Sequence, residues 1–186
     1  MPDFINHNFH KKTALLIIDA QAKIINPIKN KNFIIKNIYK LLKAYEILGE
    51  NIYLSEQNPL KLGTTIKELL PNTDFKIIKK MEFSIFNKKE LSNDFSSKGI
   101  NKLIICGFET HICILQSVIS FLKNDFEVYI VADSMGSRNQ IDHEIALKRM
   151  ISEGGILTSS EAMIFELCET SAREEFKAIS NIIKNN

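Results

Sequence analysis

Short apolar runs alternate along this chain with longer stretches in which apolar side chains recur every three or four positions. The first run, TALLIID (13–19), is nearly continuous and ends in an acid. Such a run suits a strand buried on both faces of a sheet. NIYLSEQ (51–57), KIIKK (76–80), NKLIICG (101–107) and EVYIVAD (127–133) read as further strands, and GILTSS as a short sixth. Between them, residues 30–48 place Ile34, Ile38, Leu41, Leu42 and Tyr45 at helical spacing, and Gly49 stops the helix. Further helices are predicted over 64–70, 88–97, 110–123, 143–154, 161–168 and 172–184.

Strands alternating with helices predict an α/β fold of three layers, a parallel sheet with helices on both faces. In such open sheets, sites form outside the carboxyl ends of the strands. Asp19 ends the first strand and Lys80 the third, and the helix carrying Cys113 follows the fourth. An acid, an ammonium and a thiol are therefore expected at one edge. A cysteine attacks as its thiolate. A carboxylate can take its proton, an ammonium can stabilise the anion, and a helix N-terminus adds partial positive charge. Lys79 is adjacent to Lys80, but alternation puts the two on opposite faces, so one of them alone can face the site. Cys106, inside an apolar strand, and Cys168, on a helix, read as packing residues.

Composition narrows the classes. The chain has 186 residues, 45% hydrophobic and 25% charged, which fits one globular domain over 1–186 with its core in about 12–183. The net charge is +2, and the lysines are scattered over KNKN, KNIYKLLK, KIIKK and NKK. No basic arm or aromatic–basic interleaving suggests a nucleic-acid partner. The three cysteines match neither a zinc spacing nor a disulfide framework, so reduced thiols are expected. The start, MPDFINHNFHKK, has no apolar h-region, and no run approaches the ~18 apolar residues of a membrane span; a cytoplasmic location is expected. His7 and His10 have HxxH spacing on this short polar tail, and no metal or cofactor is expected.

Three stretches resemble the signatures of the isochorismatase-like cysteine hydrolases: IIDAQ (17–21), KMEFSIF (80–86) and GFETHICILQS (107–117). SEQNPLKLGTTIKELLP (55–71), VADSMGSRNQIDHEIALKRM (131–150) and LTSSEAMIFEL (157–167) are similar to the branch known as isochorismatase domain-containing proteins. The resemblance implies a six-stranded, mainly parallel sheet, frequent homo-oligomers and a triad of Asp19, Lys80 and Cys113. It implies an oxyanion hole from the backbone N–H groups of Glu109 and Cys113, and a cis peptide falling between Phe108 and Glu109. It also implies that Gln21 sits beside the triad, orienting substrate or Asp19, with Phe83, Phe86, Phe108 and His111 lining the pocket. The KxxxSxF spacing favours Lys80 over Lys79. Metal-binding nicotinamidases of this superfamily carry histidines near the second strand, where this chain reads SEQNPLKLG.

The expected function is hydrolysis of a small amide or related substrate through a covalent thioester on Cys113. The alternative is a non-catalytic binding scaffold that keeps the fold. A thiol-redox role lacks a resolving cysteine at CxxC spacing. Asp133 and Arg138 read as a structural or interface loop. Asp19→Asn and Lys80→Ala are both expected to leave a less reactive thiol.

Overall fold

The computed structural model describes residues 12–185, so His7 and His10 lie outside the described residues. The amino half runs β1 (Thr13–Ile18), α1 (Ala22–Ile25), α2 (Lys31–Leu48), β2 (Asn51–Gln57), α3 (Pro59–Leu62), β3 (Lys76–Lys80) and α4 (Lys89–Lys98). The carboxyl half runs β4 (Lys102–Phe108), α5 (Leu115–Leu122), β5 (Glu127–Gly136), α6 (Gln140–Ser152), β6 (Ile156–Thr158), α7 (Ser160–Cys168) and α8 (Phe176–Asn185). The strands form one six-stranded sheet in the order β3-β2-β1-β4-β5-β6. Every pairing is parallel, so the sheet is parallel throughout rather than mainly so.

The continuous apolar runs follow from helices covering both faces. Along β1, Leu15 and Ile17 pack with Ile34, Ile38, Leu41 and Tyr45 of α2 and with Ile164 of α7. Ala14, Leu16 and Ile18 point the other way, onto Phe95 of α4 and onto Val118 and Phe121 of α5. Both apolar layers bury large side chains completely, and each such burial contributes roughly 1.5–3 kcal/mol.

Several element boundaries differ from the periodicity. The predicted helix over 64–70 is reduced to a 3₁₀ turn, Lys67–Leu69. Thr64, Thr65 and Ile66 are β-branched, which disfavours the helix. Their backbone is used elsewhere: Thr65 bridges Gln21, its N–H donates to the Glu56 carboxylate, and Ile66 N–H donates to the Ala20 carbonyl. The predicted helix over 110–123 opens with a π-helical turn, Thr110–Ile114, before α5 begins. β5 runs on to Gly136, α6 begins at Gln140 and α8 at Phe176. The short helix α1 was not foreseen.

The strand order reverses direction at β1. The chain moves outward from β1 to β2 and β3, then returns to place β4 on β1's other side. Outside the carboxyl ends of β1 and β4 this leaves a crevice, the ordinary place for a site in a doubly wound sheet.

Candidate active site

Asp19 is the first residue past β1. Its φ of +50° lies in the left-handed region, which Asp tolerates better than most residues, and the chain turns there sharply enough for Gln21 N–H to reach the Asp19 carbonyl at 2.7 Å. Lys80 ends β3, two strands away. Strands stand about 4.8 Å apart, so its side chain must cross the end of β2 to reach β1. It does so fully buried: Nζ donates to Asp19 Oδ2 at 2.6 Å and to Gln57 Oε1 at 2.8 Å. Lys79 points to the exposed face, as alternation requires.

The third group comes from β4. Gly107, at φ +119°, lies opposite Ile18 in the sheet, and a Cβ there would sit 2.1 Å from the Ile18 carbonyl oxygen. Glycine is what lets β4 run this close to β1. The Phe108–Glu109 peptide that follows is cis. The π-helical turn then presents Cys113, 5% exposed, to the Asp19–Lys80 pair. Burial pushes its thiol up to about 12 from an ordinary 9.0. The Asp19 charge and a hydrogen bond to that carboxylate act in the same direction, whereas the Lys80 charge and its hydrogen bond pull the value down. The resting thiol is therefore protonated and lies under the opposing influence of a carboxylate and an ammonium. Cys106 and Cys168 are buried, and burial raises both thiols.

Ser55 and Gln57, which the sequence reading did not single out, complete this cluster from β2. Ser55 Oγ donates to Asp19 Oδ1 at 2.6 Å and accepts the Asp19 N–H at 3.2 Å. Glu56, between them, turns the other way to hold Thr65. A signal for both was present: polar residues at positions i and i+2 ending an otherwise apolar strand point to one face. Ser117, four residues after Cys113, was also missed. Its hydroxyl donates to the Cys113 carbonyl at 2.6 Å and accepts the Ile85 N–H at 3.2 Å.

The structure distributes the other expected site residues unevenly. Gln21 is fully buried, and its amide engages backbone. Oε1 accepts from Gln57 N–H, and Nε2 donates to the Gln57 and Gly63 carbonyls at 3.0 and 2.5 Å. It clamps the end of β2. Phe108 is buried in the α2-side core, on the opposite face of the sheet from Cys113. Phe86 packs on the Cys113 side, edge-on to Phe121, and Phe83 is half exposed. His111 is partly buried and its Nδ1 lies 2.9 Å from Ser137 Oγ. The Glu109 carboxylate accepts from Arg138 N–H at 3.0 Å, and Thr110 Oγ1 meets His143 Nδ1 at 2.9 Å. These polar contacts, with the Arg138–Glu109 ion pair at 3.8 Å, tie the turn carrying Cys113 to the loop and helix after β5. Asp133 serves structure: it accepts both the Ser160 N–H and the Ser160 hydroxyl at the start of α7.

A cavity of about 630 Å³ lies at the other end of the sheet, lined by Asn51, Tyr53, Lys76 and Lys98 among others, and no triad residue lines it. Among the described residues, no three His, Cys, Asp or Glu side chains cluster as metal ligands would, and no helix is long and apolar enough to cross a membrane.

A family model described as the isochorismatase domain matches residues 13–162. Isochorismatase family protein 1B of Dictyostelium discoideum is 34% identical over 177 residues, which span 92% of this chain and 86% of that protein. Among solved structures, that of the MAR1 ribonuclease from Caenorhabditis elegans is similar at TM-score 0.88 and 32% identity, covering 94% of this chain and 90% of that one. The YcaC gene product of Escherichia coli, an octameric hydrolase of unknown specificity, shares the fold at TM-score 0.85 and 19% identity, over 95% of this chain and 88% of that one.

Proposed function

The chain belongs to the isochorismatase family of hydrolases, and from that premise we propose that it cleaves a small amide or related substrate through a covalent thioester on Cys113. One observation carries this reading: a fully buried Asp19–Lys80 ion pair at 2.6 Å, with both members acting on the same thiol. A desolvated ion pair is costly and is poor evidence of a stabilising role. Beside a nucleophile it has a use.

Because the resting thiol is protonated, the proton has to leave as the sulfur attacks. Asp19 takes the Cys113 proton while Sγ bonds to the carbonyl carbon. The Lys80 ammonium balances the Asp19 carboxylate first and the developing negative charge afterwards. The carbonyl oxygen becomes an oxyanion, for which the N–H groups of Glu109 and Cys113 are the proposed donors. Asp19 returns its proton to the departing amine, and the C–N bond breaks to leave the thioester. Water then attacks the thioester with Asp19 again as base, releasing the acid and restoring the thiol. Phe83, Phe86 and His111 are the proposed walls for the substrate.

The Caenorhabditis elegans relative named as a ribonuclease favours a second reading, phosphodiester cleavage in RNA. Both are tested together. Iodoacetamide labelling with peptide mapping should modify Cys113 ahead of Cys106 and Cys168. A panel of small amides scored by ammonia release should show turnover that Cys113→Ala abolishes. Turnover of RNA with no ammonia release would favour the second reading. An unreactive Cys113 with no turnover of either class would leave the scaffold role. We also propose self-association, supported by the exposed Ile141 and Ile145 on α6; light scattering at one chain mass would refute it.

A further inference from the structure

We propose that Gln57 is a positioning residue, a neutral acceptor that holds the Lys80 ammonium between Asp19 and Cys113. The inference rests on the reading of Cys113 as the nucleophile. An ammonium has three N–H groups and no acceptor. For Lys80 one goes to Asp19 Oδ2 at 2.6 Å and one to Gln57 Oε1 at 2.8 Å, which leaves the third for the Cys113 sulfur. Gln57 and Lys80 are register partners on β2 and β3, so their side chains leave the sheet on one face and side by side. A lysine crossing from β3 toward β1 must pass this amide.

The amide cannot rotate to another role. Its Nε2 donates to the Met81 carbonyl at 2.8 Å, so a flipped amide would set an NH₂ group against the ammonium and an oxygen against a carbonyl. Its backbone is gripped on both sides by the Gln21 amide. Side chain and main chain are both held, which preorganisation of a reacting group requires.

The neutrality of Gln57 follows from charge. Asp19 and Lys80 sum to zero with a neutral thiol, and they still sum to zero once the thiol proton has moved to Asp19. A carboxylate at position 57 would give Lys80 a second anion and make the buried cluster net negative. Thiolate formation would then be opposed in a site of low dielectric. Gln57 supplies the same acceptor without that charge.

The test uses the full chain and the rate of Cys113 alkylation by iodoacetamide between pH 6 and 10, with peptide mapping, so that no substrate is needed. In Gln57→Glu the rate at a fixed pH should fall roughly tenfold or more, the effect of one pKa unit or more on the thiol. In Gln57→Met, which removes the acceptor but keeps the length, the profile should also move to higher pH. A purely structural role would lower the melting temperature and leave the pH profile of alkylation where it was. Wild-type alkylation selective for Cys113, with both variants within about twofold of it at every pH, overturns this proposal alone. A wild-type Cys113 no more reactive than Cys106 or Cys168 overturns the nucleophile reading and this inference with it. Should Gln57→Met fail to fold, Gln57→Glu, nearly the same in shape, decides.

Discussion

At the scale of single residues, the two charges beside Cys113 have opposite effects on its thiol, and this separates variants that the sequence treats alike. Asp19 raises the thiol and Lys80 lowers it. Lys80→Ala should therefore slow Cys113 alkylation at pH 8 and remove hydrolysis. It should also cost stability, since stripping one partner from a buried ion pair typically costs about 3–5 kcal/mol. Asp19→Asn should do the reverse to the thiol, speeding alkylation while hydrolysis falls by about 10²–10⁴-fold for want of a base. This corrects the expectation that both changes dull the thiol: a carboxylate in contact with a sulfur accepts its proton, yet its charge opposes the anion. Lys79→Ala, on the exposed face, should change neither quantity. Asp19, Lys80 and Cys113 were legible in the sequence because strand ends and motif spacing both pointed to them. Gln21 was legible as important but not in its task, since nothing in a sequence tells an amide that faces substrate from one that clamps backbone. Phe108 was misdirected by the resemblance, and the alternation of β4 itself places it: Ile104, Cys106 and Phe108 share the α2-side face, whereas Leu103, Ile105 and Cys113 lie on the other.

At the scale of elements, β1, β2 and β4 were legible to within a residue because a parallel sheet covered on both faces demands unbroken apolar runs, whereas β5 runs three residues past its predicted end. Helix ends were less so. The 64–70 segment has helical spacing, but its amides are drawn to Glu56 and Ala20, partners that exist in the folded chain alone. The π-helical turn at Thr110–Ile114 is invisible to any 3.6-residue pattern. Turns of this kind are rare, recur at functional sites and re-aim the residues they contain. Ser117 is the pin that joins this turn to its surroundings, holding the Cys113 carbonyl on one side and the Ile85 N–H on the other. Ser117→Ala should leave that buried N–H unpaired and cost about 1–3 kcal/mol in denaturant unfolding. It should also loosen the placement of Cys113, so that alkylation changes as well as stability. A variant as stable as wild type would mean that water or a shifted backbone replaces the hydroxyl.

At the scale of the whole molecule, the two apolar layers that make the sheet stable also bury ionisable groups, and alkali should expose this. Tyr45 and Cys106 lie wholly within the layers, and burial is the largest cause raising each above its ordinary value. Cys113, beside Asp19, is raised from 9.0 to about 12, again chiefly by burial. All three are neutral when protonated. Below pH 9 the Cys113 thiol is protonated in both folded and unfolded chains and contributes no pH dependence. Above pH 9 the unfolded chain releases the proton while the folded chain keeps it, so folding stability falls as pH rises, and it goes on falling until the folded thiol ionises near pH 12. A single group in this window changes stability by up to about 1.4 kcal/mol per pH unit. Denaturant unfolding between pH 7 and 10.5 should therefore show a plateau followed by a decline starting near pH 9. Cys113→Ala should flatten that decline by up to about 1.4 kcal/mol per pH unit, and its own plateau should differ from wild type only by the lost packing. Equal slopes in the two proteins would mean that the thiol ionises as readily inside the fold as outside it. Lys80 would then be outweighing both burial and Asp19, and the chain would hold a standing thiolate in place of a thiol that loses its proton during attack.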